Sequence, residues 1–298
     1  MNKIIESSWP DPTGERLSGD SGILPRGLNF GSGKWSAPDW IGYDFLMGHE
    51  IDPYTDLVYA NESIQYAYSS HFIEHVCNDT VMKMFTEVHR VLKVGGVLRI
   101  LVPNFDLLLD KYKFEKKYNI GFRNSFFYTH LGFHPESVKP NWKRYNVDMS
   151  LENILLHFIC NLNYKNYGGP PLNVDSKEVY QKCHELSNTE FYDWCQNLAV
   201  GFSPIRKEHI NWWTPEKITD FFHQAGFSNV VETKFGQSQI PEVSSTYYFD
   251  FWNNGSNYCR YGNMRENLTL CMEAIKTEEA GIGYPHVGPP CYTFFEGE

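Results

Sequence analysis

The sequence predicts an α/β fold built on a mostly parallel sheet, and three observations carry this prediction. A short apolar run leads directly into a glycine turn, Leu28-Asn29-Phe30-Gly31-Ser32-Gly33. A second short run ends in an acid, Trp40-Ile41-Gly42-Tyr43-Asp44. The segment Val97–Val102 is almost wholly apolar, as expected for a strand that is covered on both faces of a parallel sheet.

The first two strands are expected close together in the chain. We predict strands at Gly27–Phe30 and Ile41–Tyr43, with only the segment from Gly31 to Asp39 before Trp40. A parallel crossover usually needs at least ~10–12 residues, including its helix. The helix between these strands is therefore predicted to be very short or absent.

The next elements form a strand–helix–strand unit. Ile64–Ser70 is predicted as a strand, and Asn78 or Asp79 is expected to cap the helix that follows. Gly95 suits the left-handed residue that ends a helix, and Val97–Val102 is the next strand. The helix is predicted from apolar residues at helical spacing, which are Val81, Phe85, Val88 and Leu92.

A later part of the chain repeats the helix–strand pattern. Thr214 as N-cap, Pro215 at the first helical position and Gly226 at the end together predict a helix. Strands are predicted at Val230–Phe235 and Leu268–Ile275.

These elements divide the chain into a core and additions. Residues 1–25 are expected to be an irregular lead-in, and residues 277–298 a surface tail. The core comprises residues 26–105 and 209–276, interrupted by an insertion at residues 106–208 that is rich in aromatic residues and has helical periodicity.

Composition excludes several classes of protein. With 298 residues, of which 42% are hydrophobic, the chain can form a sizeable core. The net charge of −10 disfavours nucleic-acid binding, which needs clustered lysine and arginine. We expect no signal peptide and no membrane span. The seven cysteines form no CxxC pair, which suits reduced thiols and a cytoplasmic location.

The order of motifs resembles the class I S-adenosylmethionine (SAM)-dependent methyltransferases. Within that class it is similar to a small methyltransferase type 11-like group with an LNLGCG-type first turn and an SSHxLEH segment. The resemblance covers roughly residues 27–105 and, more weakly, 209–275. It rests on the glycine turn, on Asp44, on Tyr66–His75 and on Glu87–Asn104. It implies a Rossmann-like, mostly parallel seven-stranded sheet with an antiparallel hairpin edge, and a substrate cap inserted after strand five.

The resemblance also implies which residues bind SAM. The turn Gly31-Ser32-Gly33 would wrap the methionine and ribose end, although a GxG turn alone is also typical of ordinary tight turns. Asp44 would accept the ribose hydroxyls, unless it is a surface turn residue. Asp56 and Leu57 occupy the adenine-contacting position, for which Asp52 competes. Ser70 and His71 would border the sulfonium and the acceptor.

The segment His71-Phe72-Ile73-Glu74-His75 allows a second interpretation, because HxxEH matches a zinc-hydrolase motif with two histidines as ligands and Glu74 as base. That motif needs a continuous helix, whereas His71 directly follows a predicted strand. We therefore favour structural roles for Glu74 and His75 and expect no metal requirement.

The predicted enzyme moves a methyl group from SAM to the oxygen or nitrogen of a small-molecule or sugar acceptor. His71 is the nearest candidate for a general base, and His209, His134 and His130 are further candidates, although each of these three is more often a packing or surface histidine. Competing hypotheses are a non-catalytic SAM-binding protein, a zinc hydrolase and a nicotinamide-dependent oxidoreductase. A homodimer is compatible with the sequence.

Overall fold

The computed structural model describes residues 24–32, 37–43, 56–121, 124–129, 150–160, 174–200, 209–245, 249 and 268–278. Its centre is one sheet of six strands in the order β2-β1-β3-β4-β6-β5. The strands are β1 (Gly27–Phe30), β2 (Trp40–Tyr43), β3 (Ile64–Ser70), β4 (Leu92–Pro103), β5 (Asn229–Thr233) and β6 (Thr269–Ile275).

The strand directions confirm the predicted mostly parallel α/β sheet with a hairpin edge. Strands β1 to β4 pair in parallel, and β6 pairs antiparallel with both β4 and β5. The sequence predicts seven strands, and the described part of the chain contains six in this sheet.

The order in which successive strands are placed across the sheet reverses at β1. Strand β1 lies between β2 and β3, so the chain leaves β1 on one side and returns on its other side. Open α/β sheets bind ligands outside the carboxyl ends of their strands at such a switch point. The residues that follow β1 and β3 therefore form the candidate site.

Helices cover the sheet and form the insertion. They are α1 (Asn78–Val91), α2 (Phe105–Lys117), α3 (Phe126–Thr129), α4 (Leu151–Cys160), α5 (Ser176–Glu185), α6 (Asn188–Val200), α7 (Pro215–Gln224) and α8 (Pro241–Ser245), with a 3-10 turn at Ile73–His75.

Both ends of α1 differ from the sequence prediction. Its N-cap is Cys77, which is extended and makes no side-chain capping bond, so neither Asn78 nor Asp79 is the cap. The backbone becomes extended at Leu92, which is also the first residue of β4. Gly95, with a φ of 79°, therefore lies within β4 instead of ending the helix, and its N–H donates to the Lys276 carbonyl.

By contrast, α7 begins as predicted. Thr214 is its N-cap, with Oγ1 accepting from the Lys217 N–H at 3.3 Å, and Pro215 is the first helical residue. Gly226 follows the helix with a φ of 105°.

Three apolar clusters hold these elements together. The first lies on one face of the sheet under α1 and α7, where the rings of Phe85 and Phe222 are 4.8 Å apart. The second lies on the opposite face around Trp40, Tyr68 and Phe249. The third packs the helices of the insertion against one another, so the insertion has apolar packing of its own. The division into core and cap itself remains a prediction.

Among the described residues, no helix is long and apolar enough to cross a membrane. The cysteines in this part of the chain are free, and four of them are buried.

Candidate functional site

The turn after β1 depends on glycine for two reasons. Gly31 has a φ of 73°, which disfavours residues with a side chain. A Cβ at this position would lie 2.6 Å from Cγ of Phe72, which belongs to the loop after β3. The N–H groups of Gly31 and Ser32 both donate to the Tyr43 carbonyl, at 2.8 and 3.2 Å. Gly31 therefore brings the carboxyl ends of β1, β2 and β3 together.

Polar atoms near these strand ends are buried without a hydrogen-bond partner in the described part of the chain. They are Oγ of Ser32, Oγ of Ser69 and Oδ1 of Asn29. Buried polar groups are normally paired, so each of these atoms needs an explanation. A polar ligand at the carboxyl ends of β1 and β3 supplies one. The residues present thus fit a polar cofactor at this edge, as the sequence predicts.

His71 occupies the tip of β3 in a strained backbone conformation. Its φ is 52°, although it is not glycine, and its N–H donates to the Leu101 carbonyl of β4 at 2.8 Å. Its Nε2 lies 3.1 Å from Oγ1 of Thr269 on β6. Ser70, the last residue of β3, is partly exposed beside it. Thr269 is a partner that the sequence analysis missed, because nothing in the local pattern links it to His71.

Glu74 is the most deeply buried charged group near this edge. Its side chain has no exposed surface, and within the described part of the chain its carboxylate oxygens face no hydrogen-bond donors other than histidine rings. Three imidazoles approach its Oε1: Nδ1 of His71 at 3.4 Å, Nε2 of His75 at 3.9 Å and Nε2 of His209 at 4.0 Å. Together these four residues form what we call the Glu74 cluster.

Burial and neighbouring histidines act in opposite directions on this cluster. Burial raises the pKa of the Glu74 carboxyl, but the hydrogen-bonding and charge effects of the nearby histidines outweigh it and hold that pKa at about 2. Burial lowers the pKa of His209 to about 3, against the opposing charge of Glu74. Glu74 is therefore ionised and His209 neutral near pH 7.

His209 is positioned by backbone groups of the insertion. Its Nδ1 lies 3.1 Å from the Phe158 carbonyl and 3.2 Å from the Ile159 carbonyl, so Nδ1 carries the proton and donates. Its Nε2 then offers a lone pair to the cluster. The side chain is only 9% exposed, so His209 does not face open solvent.

Asp56 and Leu57 lie beside α1. The Leu57 N–H donates to Oε2 of Glu87 at 2.8 Å, and Arg90 donates to the Leu57 carbonyl at 2.8 Å. The Asp56 carboxylate accepts from Lys83 at 2.6 Å and is about half exposed. The backbone here is firmly held, and the ion pair with Lys83 occupies one Asp56 oxygen.

Five candidate residues from the sequence lie outside the described residues. They are Gly33, Asp44, Asp52, His130 and His134. Their roles stay predictions.

The local structure argues against the HxxEH zinc-hydrolase arrangement. Only Ile73–His75 is helical, as one 3-10 turn, and Phe72 before it has a φ of −130°. His71 lies before that turn in a left-handed conformation. The two histidines are therefore not on one face of a continuous helix, which the motif requires, and His71 directly follows a strand, as predicted.

A comparison with protein families finds a matching model. Residues 49–100 match the family described as "Methyltransferase domain". This match confirms the resemblance to class I SAM-dependent methyltransferases of the type 11 group, and it supports a SAM-dependent methyltransferase with SAM as its cofactor. No curated protein matches the chain.

The solved structures that match this chain have low sequence identity to it. A chain from a complex that contains the Haloferax volcanii Trm112 methyltransferase activator is 9% identical, with a TM-score of 0.33, and the match covers 86% of this chain and 85% of that one. Haemonchus contortus phosphoethanolamine N-methyltransferase 2 with SAM is 10% identical, with a TM-score of 0.34 and coverage of 86% and 49%. PKMT2 from Rickettsia typhi is 11% identical, with a TM-score of 0.30 and coverage of 87% and 50%.

The chain thus spans about half the length of the last two proteins. At these TM-scores, the likenesses say nothing about the substrate or partners of this chain.

Proposed function

We propose that the chain transfers a methyl group from SAM to an oxygen or nitrogen atom of a small-molecule or sugar acceptor. The observation that carries the proposal is the switch point of the sheet, where the Gly31 turn packs against the loop after β3. Ligands of open α/β sheets bind at this position. The methyltransferase-domain match overlaps β3 and α1 of the same edge.

In this proposal, SAM lies along the carboxyl ends of β1, β2 and β3. The Gly31-Ser32-Gly33 turn wraps its methionine and ribose end, and Ser32 Oγ, which has no hydrogen-bond partner among the described residues, is available to a polar group there. Asp44, which directly follows β2, accepts the ribose hydroxyls. Asp56 and Leu57 are the residues predicted to contact the adenine, and their hydrogen-bond partners Lys83 and Glu87 lie on α1.

The chemistry of methyl transfer requires mainly alignment. SAM supplies an activated sulfonium, and the acceptor atom must attack its methyl carbon in line with the departing sulfur. Orientation of this kind is worth up to ~7–11 kcal/mol in favourable cases. Ser70 and His71 at the tip of β3 are placed to border the sulfonium and the acceptor.

A hydroxyl acceptor also needs a base to take its proton. His71 is the candidate because its side chain is 25% exposed at the strand tip, whereas His209 is almost buried. The contact between Nε2 of His71 and Thr269 holds the ring in place. General-base catalysis typically contributes ~10²–10⁴-fold, so loss of His71 should be visible in turnover.

The acceptor is expected to meet the helices of the insertion. The net charge of −10 disfavours a nucleic-acid acceptor, and a small molecule or sugar is the class that remains in this proposal. A cytoplasmic location and a homodimer belong to the same proposal, and neither depends on the site geometry.

The direct test is transfer of a labelled methyl group. The purified chain is incubated with methyl-labelled SAM and panels of sugars, nucleotide sugars and small alcohols or amines, and the labelled products are identified by mass spectrometry. Label in one acceptor class with formation of S-adenosylhomocysteine supports the proposal. SAM binding without transfer to any acceptor class, including in extracts, would favour the non-catalytic SAM-binding alternative.

A further inference from the structure

We infer that the Glu74 cluster is a binding site for one divalent transition-metal ion of the zinc type. Glu74, His75 and His209 are the proposed ligands. The inference does not depend on methyl transfer, since metal binding can be measured without SAM. It departs from the sequence-based expectation that no metal is required.

The first argument is that possible ligand atoms from three residues lie close together. One ligand atom from each of Glu74, His75 and His209 lies within 4.8 Å of the others. These atoms come from two distant parts of the chain, the loop after β3 and the segment before α7. The two parts are locked together because the Glu74 carbonyl accepts from the N–H groups of Ile210 and Asn211, at 2.9 and 3.1 Å.

The second argument is the state of the carboxylate. Glu74 has no exposed surface, and among the described residues only histidine rings, at 3.4 to 4.0 Å, face its carboxylate. Burying a charge in this way is very costly unless the charge is paired or binds a metal. A cation between Glu74 and the imidazoles would satisfy the carboxylate at the point where their nitrogen atoms already face it.

The third argument is the way in which the rings are held. Metal-binding histidines usually donate their other ring N–H to a carbonyl, a carboxylate or water, which fixes the tautomer. His209 does this, since Nδ1 donates to the Phe158 and Ile159 carbonyls and Nε2 faces Glu74.

The distances between these ligand atoms fit a bound ion after small movements of the side chains. Zinc binds nitrogen and carboxylate oxygen at about 2.0–2.2 Å, which places tetrahedral ligand atoms roughly 3.4 Å apart. The distances from Glu74 Oε1 to Nε2 of His75 and of His209 are 3.9 and 4.0 Å, and all three ligand atoms lie within 4.8 Å of one another. Each ring nitrogen has to move about half an ångström towards Glu74, and the two rings have to approach each other until all three atoms are at this spacing.

The ligand chemistry selects the class of ion. Imidazole suits zinc and its neighbours in the first transition row, whereas magnesium and calcium prefer all-oxygen sites. The His75 and His71 side chains are 32% and 25% exposed, while Glu74 and His209 lie behind them. The ion would therefore be reached from the strand tip and would keep one side open.

The experiment measures zinc on the full chain without SAM. Protein purified and then stripped with a chelator is titrated with Zn²⁺ against a chromophoric competitor, and thermal unfolding is recorded with and without the ion. We expect one ion per chain, with a dissociation constant of about micromolar or tighter, and a higher melting temperature with zinc. A Co²⁺ titration should give the visible absorption of a site with low coordination number.

Matched variants locate the ion. Glu74→Gln keeps the side-chain shape, and His209→Asn removes one ring; each should weaken zinc binding at least about tenfold. His223→Asn changes an exposed histidine on α7 and should leave binding unchanged. If either buried variant does not fold, His75→Asn at the partly exposed edge provides the same test.

Two outcomes would overturn the inference. The first is wild-type protein that binds no stoichiometric zinc. The second is zinc binding that survives substitution of Glu74, His75 and His209, which would place the ion elsewhere. Loss of SAM binding would not affect either result, so failure of the metal site and failure of the proposed function are distinguishable.

Discussion

His209 presents its Nε2 to Oε1 of Glu74 at a distance of 4.0 Å, and so joins the segment before α7 to the loop after β3. The same two segments share backbone bonds from Ile210 and Asn211 to the Glu74 carbonyl, and Trp213 Nε1 donates to the Ile73 carbonyl at 3.1 Å. The carboxyl end of β3 is therefore fixed by a part of the chain that follows the insertion. This contact positions His71 at the candidate site.

Replacement of Gly31 should damage both the fold and cofactor binding. Gly31→Ala places a side chain at a φ of 73° and also overlaps Phe72, so we expect a loss of more than about 1 kcal/mol and weaker SAM binding. Gly95→Ala is the matched control, because Gly95 has a φ of 79° with nothing within 4 Å of the added Cβ. Chemical denaturation should show the larger loss for Gly31→Ala; equal losses would mean that the overlap with Phe72 is unimportant.

Substitution of His71 should separate catalysis from cofactor binding. His71→Asn tolerates the positive φ of 52° but removes the proposed base. We expect turnover with a hydroxyl acceptor to fall by ~10²–10⁴-fold while the SAM dissociation constant changes by less than about threefold. His184→Asn, on the exposed side of α5, is the control. Full turnover in His71→Asn would remove His71 from the role of base.

Acid should destabilise the fold partly through His89. Burial, with a smaller effect of the Lys276 charge, lowers the pKa of His89 to about 4 from the ordinary 6.5. Because the folded state favours the neutral ring, this stability is complete above pH 6.5 and is lost as the pH falls towards 4.

The measurement is the melting temperature of wild type and His89→Phe across that window. After discounting for partial exposure, we expect wild type to lose about 1 kcal/mol, or roughly 2–4 °C, relative to the variant between pH 7 and pH 4.5. The ring of Phe should keep the edge contact with Phe227, whose centroid is 4.8 Å away. A difference between the two proteins that does not change with pH would contradict this account.

Asp44 should be needed for SAM affinity but not for folding. Asp44→Ala removes the carboxylate proposed to bind the ribose hydroxyls, so SAM affinity should fall at least tenfold, or by about 1.4 kcal/mol. Asp220→Ala, at an exposed position of α7, is the control. Calorimetry that gives the same affinity for Asp44→Ala and wild type would exclude the ribose role.

Local patterns in the sequence predict much of the sheet. Strands β1, β3 and β6 and helix α7 lie where apolar runs, turns and caps indicate, because each signal is local. The end of α1 is different. Gly95 is a typical helix terminator, but Leu92 already pairs with Ile64 in the sheet, so strand pairing ends the helix three residues earlier.

The Glu74 cluster could not be predicted in the same way. The sequence places Glu74 between two histidines, but the burial of its carboxylate and the approach of His209 depend on packing across the insertion. Thr269 and Phe72 are missed for a similar reason, since their contacts with His71 and Gly31 join separate loops. Such contacts leave no periodic signal in the sequence.

The measurement that tests the central claim most directly is binding of SAM to the metal-stripped chain by isothermal titration calorimetry, with NAD as the comparison ligand. We predict one SAM site with an affinity of about micromolar, or roughly −8 kcal/mol, and no detectable NAD binding. Absence of SAM binding by folded protein, or binding of NAD in its place, would contradict the assignment of this switch point to SAM.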